Sequence, residues 1–152
     1  MNTIGIRVKP NSVIIAIHDT IENSIVNVEN IKIPKALSTP EALKYVRNSI
    51  LDILREYKIS KAGLRIVEGS SQTLVIRRIE IEGVIQEAFA SSMLSAYFCG
   101  QISTISAKLD IPRADFKRYI AGELEYENVE NWSEHNKEER EAILTSLGAI
   151  NA

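Results

Sequence analysis

Few residues of this chain are placed to do chemistry. Glu138 and Glu141 stand three apart near the C-terminal end, and Glu68 closes the apolar run AGLRIVE at 62–68. Metal-assisted phosphodiester cleavage needs several such carboxylates converging on ions about 3.5–4 Å apart. His135 lies three residues before Glu138, so His135, Glu138 and Glu141 share one helical face and could form a metal cluster. With no second histidine nearby, His135 reads more simply as a surface residue. Five cations, Arg77, Arg78, Arg113, Lys117 and Arg118, could line one edge and hold phosphates. The chain has 18 Lys and Arg against 20 Asp and Glu, a net charge of −2, so solvated helix faces are the plainer reading. The glutamate-rich stretch 123–141 could repel nucleic acid or dock on a basic partner, or serve only as a soluble loop and helix start. His18 sits on an apolar strand as a core-edge histidine, and Cys99 reads as packing. The GSSQT segment at 69–73 has one glycine and no following lysine, which excludes a phosphate loop.

The elements that must position these residues follow from pattern. Residues 4–9 and 13–19 alternate and are rich in β-branched side chains, with Pro10-Asn11-Ser12 as the turn between them. A third strand is expected at 25–34, ended by Pro34. Ser38, Thr39, Pro40 and Glu41 make a strong helix start. Leu43, Val46, Ile50, Ile53, Leu54 and Tyr57 then repeat at helical period to about residue 57. Residues 62–68 suit a short buried strand. From about Leu74 to Cys99 the spacing predicts one long helix stopped by Gly100. Its small residues, Gly83, Ala88, Ala90, Ser91 and Ser92, would permit close approach of another helix. QISTISA at 101–107 reads as a fifth strand, Pro112 opens a helix ended by Gly122, and Asn136 begins a last helix over 137–149 with a capping box.

The length of 152 residues fits one domain spanning 1–152, with room for a full core. A single cysteine excludes an internal disulfide and a cysteine zinc cluster, as expected in a reducing cytoplasm. No secretory leader is visible and no apolar stretch reaches the roughly 18–20 residues of a bilayer span, so no membrane association is expected.

Four segments resemble the RuvC-like branch of the RNase H superfamily. They are Ile4-Gly5-Ile6-Arg7, Leu64-Arg65-Ile66-Val67-Glu68, Phe116-Lys117-Arg118-Tyr119-Ile120-Ala121-Gly122 and Glu138-Glu139-Arg140-Glu141-Ala142-Ile143-Leu144. The nearest likeness is to uncharacterised bacterial members whose first strand is similarly degraded. The resemblance implies an α/β fold: a five-stranded mixed sheet, an antiparallel meander plus two parallel strands, covered by helices. It also implies a metal site built from the first strand's terminal aspartate, a glutamate ending the fourth strand and two aspartates three apart on the last helix. Glu68 matches that glutamate, Glu138 and Glu141 stand for the aspartates, and Arg7 stands where the first aspartate should be. Lys117 falls at a position that faces substrate.

An arginine stays cationic and offers no lone pair to a metal, so Arg7 cannot replace a carboxylate ligand. The degenerate set Arg7, Glu68, Glu138 and Glu141 is therefore expected to bind no metal and perform no catalysis, and no cofactor is expected. Arg7 would instead need a buried anionic partner, with Glu68 first and Glu141 or Glu138 second. The function implied is a binding or scaffold domain for a protein or for branched nucleic acid, with a homodimer formed along the long helix. The alternative is a nuclease using magnesium or manganese on a rearranged Glu68, Glu138 and Glu141 site.

Overall fold

A computed structural model describes residues 1–69 and 75–152. Apart from Gly69, the GSSQT connection lies outside the described residues, as does Leu74, the expected start of the long helix. Three antiparallel strands come first: β1 (Asn2–Lys9), β2 (Ser12–Asp19) and β3 (Ser24–Lys32). Helix α1 (Thr39–Glu56) leads to β4 (Ile59–Arg65), and α2 (Ile76–Ala90) leads to β5 (Ala96–Gly100). Helices α3 (Ile102–Leu109), α4 (Arg113–Ile120) and α5 (Lys137–Gly148) complete the order, with a short 3-10 turn at Trp132–Glu134. The sheet runs β3-β2-β1-β4-β5, and β4 and β5 are parallel to β1 and to each other. This is the mixed sheet that the pattern of elements implied.

Strand β1 is the centre of the sheet and separates two cores. Ile4, Ile6 and Val8 point to one face, where α1 and α2 bring Val46, Ile50, Ile81, Ile85 and Phe89. The other face holds Ile14 and Ala16 of β2 against Phe116, Trp132 and residues 142–144 of α5. Helix α1 forms where expected, because the Ser38 side chain accepts from Glu41 N and Glu41 reaches back to Ser38 N, closing both orphan donors. Asn136 and Glu139 do the same for α5.

The close seating of α5 on the sheet is set by two glycines in register, Gly5 on β1 and Gly63 on β4. A Cβ on Gly5 would collide with the backbone of Ala142 and Ser146, and one on Gly63 would lie 2.9 Å from Thr145 Cγ2. Thr3, on the same face of β1, donates to Ser146 O at 2.7 Å. Residues Thr3, Gly5 and Arg7 thus run beneath α5 in succession.

Two expected elements differ. The long helix of 74–99 ends at Ala90, with Ser91 as its C-cap, and 96–100 is a strand. Ser92 Oγ accepts from Leu94 N at 3.3 Å and turns the chain, then Ser95 N and Oγ both donate to Ser60 O and start β5 beside β4. Tyr97 and Phe98 have the aromatic character that strands favour. Residues 101–107 are not a strand but the start of α3. Ile102, Ile105 and Ser106 are buried at helical spacing, and Ser106 Oγ donates back to Ile102 O at 2.7 Å. The fourth strand also ends early, at Arg65, so Glu68 lies three residues beyond it.

Gly5→Ala is expected to destabilise the protein by about 1–3 kcal/mol or more in denaturant titration, because backbone must move to admit one methyl group. Gly83 sits inside α2, and a Cβ added there would meet nothing within 4 Å. Gly83→Ala is therefore expected to stabilise by about 0.5–1 kcal/mol. Equal effects of the two changes would contradict the close seating of α5 on the sheet.

Candidate functional site

Strand register puts Arg65 of β4 directly beside Arg7 of β1. Both strands run the same way, so two guanidinium groups meet at one end of the sheet, under the first turns of α5. Glu141 descends from α5 between them. Arg7 Nε donates to Glu141 Oε2, and Arg65 Nη2 lies 3.9 Å from Glu141 Oε1. Glu141 is 2% exposed and Arg65 4% exposed, so this is a buried charge group in which each member depends on the others.

The expected Arg7–Glu68 ion pair is not made; Arg7 pairs with Glu141, the second partner anticipated for it. The early end of β4 explains the difference. Past the strand the chain turns away, and Glu68 Oε1 accepts from Ile102 N at 2.8 Å, capping α3. The same oxygen lies 3.5 Å from Arg65 Nη2, while Oε2 lies 3.8 Å from Arg113 Nη2. Arg65 therefore bridges the two glutamates that flank it.

A third arginine closes the group. Arg78 of α2 donates from Nε to Glu82 Oε2 at 2.7 Å, one helical turn on. Glu82 is buried and its other oxygen accepts from Val67 N at 3.1 Å. Gln101 Nε2 donates to Val67 O at 3.1 Å, so both backbone groups of Val67 are held. Burial pulls the Arg65 guanidinium below its ordinary range; Glu141 and Glu68 oppose that fall, and Arg7 and Arg78 add to it. Arg78 is lowered for the same first reason, burial, with Arg7 next.

The other candidates scatter. The Glu138 side chain makes no ion pair or hydrogen bond among the described residues, and His135 faces Glu139 at 3.8 Å rather than Glu138 or Glu141. Arg77 reaches Thr39 Oγ1 at 3.4 Å, away from the group. Arg118 pairs with Asp115 and Glu123 at 3.8 and 3.6 Å, and Lys117 is exposed on α4. Of the five cations read as phosphate contacts, only Arg78 and Arg113 join the buried network. His18 Nε2 donates to Asn23 Oδ1 at 3.2 Å, and burial lowers its pKa. Burial likewise pushes the Cys99 thiol up to about 11, consistent with a packing role.

Sequence reasoning does not single out Arg65 or Glu82 as members of the site. The signal for Arg65 is a lone cation inside the apolar run AGLRIV; for Glu82 it is the i,i+4 spacing from Arg78.

The residues present do not fit a pair of magnesium ions. Two cationic side chains stand at the strand ends, and the Glu141 oxygens face guanidinium groups. Among the described residues no three His, Cys, Asp or Glu side chains gather as an ion's ligands, so the alternative set Glu68, Glu138 and Glu141 is not assembled. What the arrangement does chemically is neutralise buried charge and tie together β1, β4, α2, α3 and α5. Glu141→Gln is expected to cost about 3–5 kcal/mol, since it leaves Arg7 without its carboxylate and Arg65 with Glu68 alone. Replacing Arg7 and Glu141 together by Met and Leu is expected to recover most of that loss in the same denaturant titration; equal loss in the single and double variants would refute the coupling.

No protein-family model matches the chain, and no curated protein does. Solved structures do. Thermus thermophilus RuvC in complex with a Holliday junction substrate superposes with a TM-score of 0.68 at 13% identity, covering 97% of this chain and 91% of that one. The structure of T. thermophilus RuvC gives 0.68 at 11% identity, with 97% and 92% covered. The yeast mitochondrial Holliday junction resolvase Ydc2 gives 0.55 at 14% identity, with 97% and 77% covered. At these identities the likeness speaks to architecture, and it agrees with the strand order and helix placement described above: the chain has the RuvC-like RNase H fold.

Proposed function

We propose that this protein is a non-catalytic RuvC-like domain, spanning 1–152, that binds branched nucleic acid. One observation supports the reading: Arg7 and Arg65 stand side by side at one end of β1 and β4 with Glu141 between them, and the family resemblance puts a metal-binding aspartate at position 7. A site rebuilt with cations loses the capacity to assemble a metal pair and keeps affinity for phosphate. The fold likeness to a RuvC solved with a Holliday junction supports a branched substrate as the first ligand to test. Arg113 and Lys117 support it further, because they are four apart on α4 and exposed, on the side of the network that faces solvent.

The reading includes a homodimer along α2. Ala88 faces inward and Ser91 and Ser92 lie past the helix, so the expected small-residue face is shorter than its sequence suggested. Ile76, Ile79, Gly83 and Ala90 remain on the exposed side, with Ile76 73% and Ile79 41% exposed. That stripe at i, i+3, i+7 and i+14 supports helix-on-helix contact between copies.

Binding is tested with labelled four-way-junction and linear duplex DNA, in magnesium and in manganese, at several salt concentrations. The expected result is preferential junction binding that weakens steeply with salt, and no cleaved product in either metal. Product that disappears in Glu68→Gln would overturn the non-catalytic reading. Absence of any nucleic-acid binding would turn the assignment toward a protein partner. Sedimentation of the free protein, expected to give a dimer that Ile79→Glu dissociates, tests the α2 contact.

A further inference from the structure

The network is not electrically closed at its solvent edge. Three largely buried guanidinium groups, Arg7, Arg65 and Arg78, stand against Glu68, Glu82 and Glu141, and Arg113, 51% exposed in its side chain, adds a fourth cation. Its hydrogen bonding is not closed either. Arg65 Nε and Arg78 Nη2 are both buried and have no acceptor among the described residues. Arg65 Nη2 is 3.5 Å from Glu68 and 3.9 Å from Glu141, beyond the usual range of a strong hydrogen bond. A buried donor with no acceptor costs its full desolvation penalty.

We infer that this end of the sheet holds one phosphate-type oxyanion, bound directly by guanidinium groups. A tetrahedral oxyanion offers several acceptors at once and matches the fork of arginine donors. Such an anion would offset the charge that Arg113 adds and offer an acceptor to an orphan guanidinium donor. Arg7 is 14% exposed and Arg113 is 51% exposed in their side chains, so both border solvent, and Arg113 lies at the open side of the group, 3.8 Å from Glu68. The chemistry is shared by a nucleic-acid phosphodiester and by free inorganic phosphate; assigning it to a nucleic-acid backbone rests on the function proposed above.

The test is the melting temperature in inorganic phosphate against chloride at matched ionic strength, for the wild type and for Arg113→Ala. Arg113 is exposed, so its variant is expected to fold, and any general salting-out by phosphate acts equally on both proteins. The expected result is a saturable rise of about 3–5 °C in the wild type at ten times the half-saturating concentration, largely lost in the variant. No saturable difference between the two proteins overturns the inference. Competition of phosphate with junction DNA identifies the backbone as the source. A phosphate effect without DNA binding keeps the anion site and sinks the nucleic-acid reading; DNA binding with no phosphate effect or competition does the reverse.

Discussion

The far end of the sheet depends on how one buried carboxylate is neutralised. Glu141 is almost wholly buried, and an isolated carboxylate there would be prohibitively unfavourable. It is tolerable because α5 lies so close to β1 that Arg7 reaches it, and because strand register brings Arg65 to its other oxygen. That closeness depends in turn on Gly5, whose missing side chain lets the α5 backbone touch the strand. A glycine, an arginine two residues later and a glutamate 134 residues away in sequence therefore form one mechanical unit. Interior ion groups of this kind often add little net stability compared with apolar packing, yet breaking one partner is costly. Their effect here is to fix the register of α5 on the sheet, since sliding the helix by a turn would separate Glu141 from Arg7 and leave both without a partner.

Much of this architecture is legible in the chain. The β1–β2–β3 meander is readable because alternation and turn chemistry agree over residues 4–34, and α1 and α5 because both carry reciprocal caps. Where local signals compete, pattern misleads. Residues 74–99 contain enough helix-compatible side chains to mask the serine-rich turn at 91–95, and β5 is fixed by pairing with β4 rather than by propensity. The α3 segment mixes Ile, Ser and Thr, whose strand preference is overridden by burial of Ile102 and Ile105 and by the Glu68 cap. The site is legible only in part. Arg7 and Glu141 stand out in the sequence, but their pairing requires knowing that β4 stops at Arg65 and that Glu68 turns away. Such a three-residue difference in strand end is not encoded in any local pattern, because Ile66 and Val67 are as strand-like as the residues before them.

The fold and the site point in different directions, and that contrast is the main functional lesson. A RuvC-like sheet places the ends of two parallel strands and the start of a helix within reach of each other, a geometry suited to gathering metal ligands. In this chain the same geometry gathers arginines. The chain gains internal cohesion from a network that spans five elements, so the identity of residue 7 alone says less than the way residues 7, 65 and 141 are assembled.

The most direct measurement is the melting temperature of the wild-type protein across millimolar magnesium and manganese, with calcium as a third ion and ionic strength held constant. If guanidinium groups have taken over the metal position, none of the three ions changes the midpoint, because no carboxylate set binds them in the folded state. A saturable rise with magnesium or manganese would contradict the account, since it would show that the carboxylates at this end of the sheet are free to coordinate a metal.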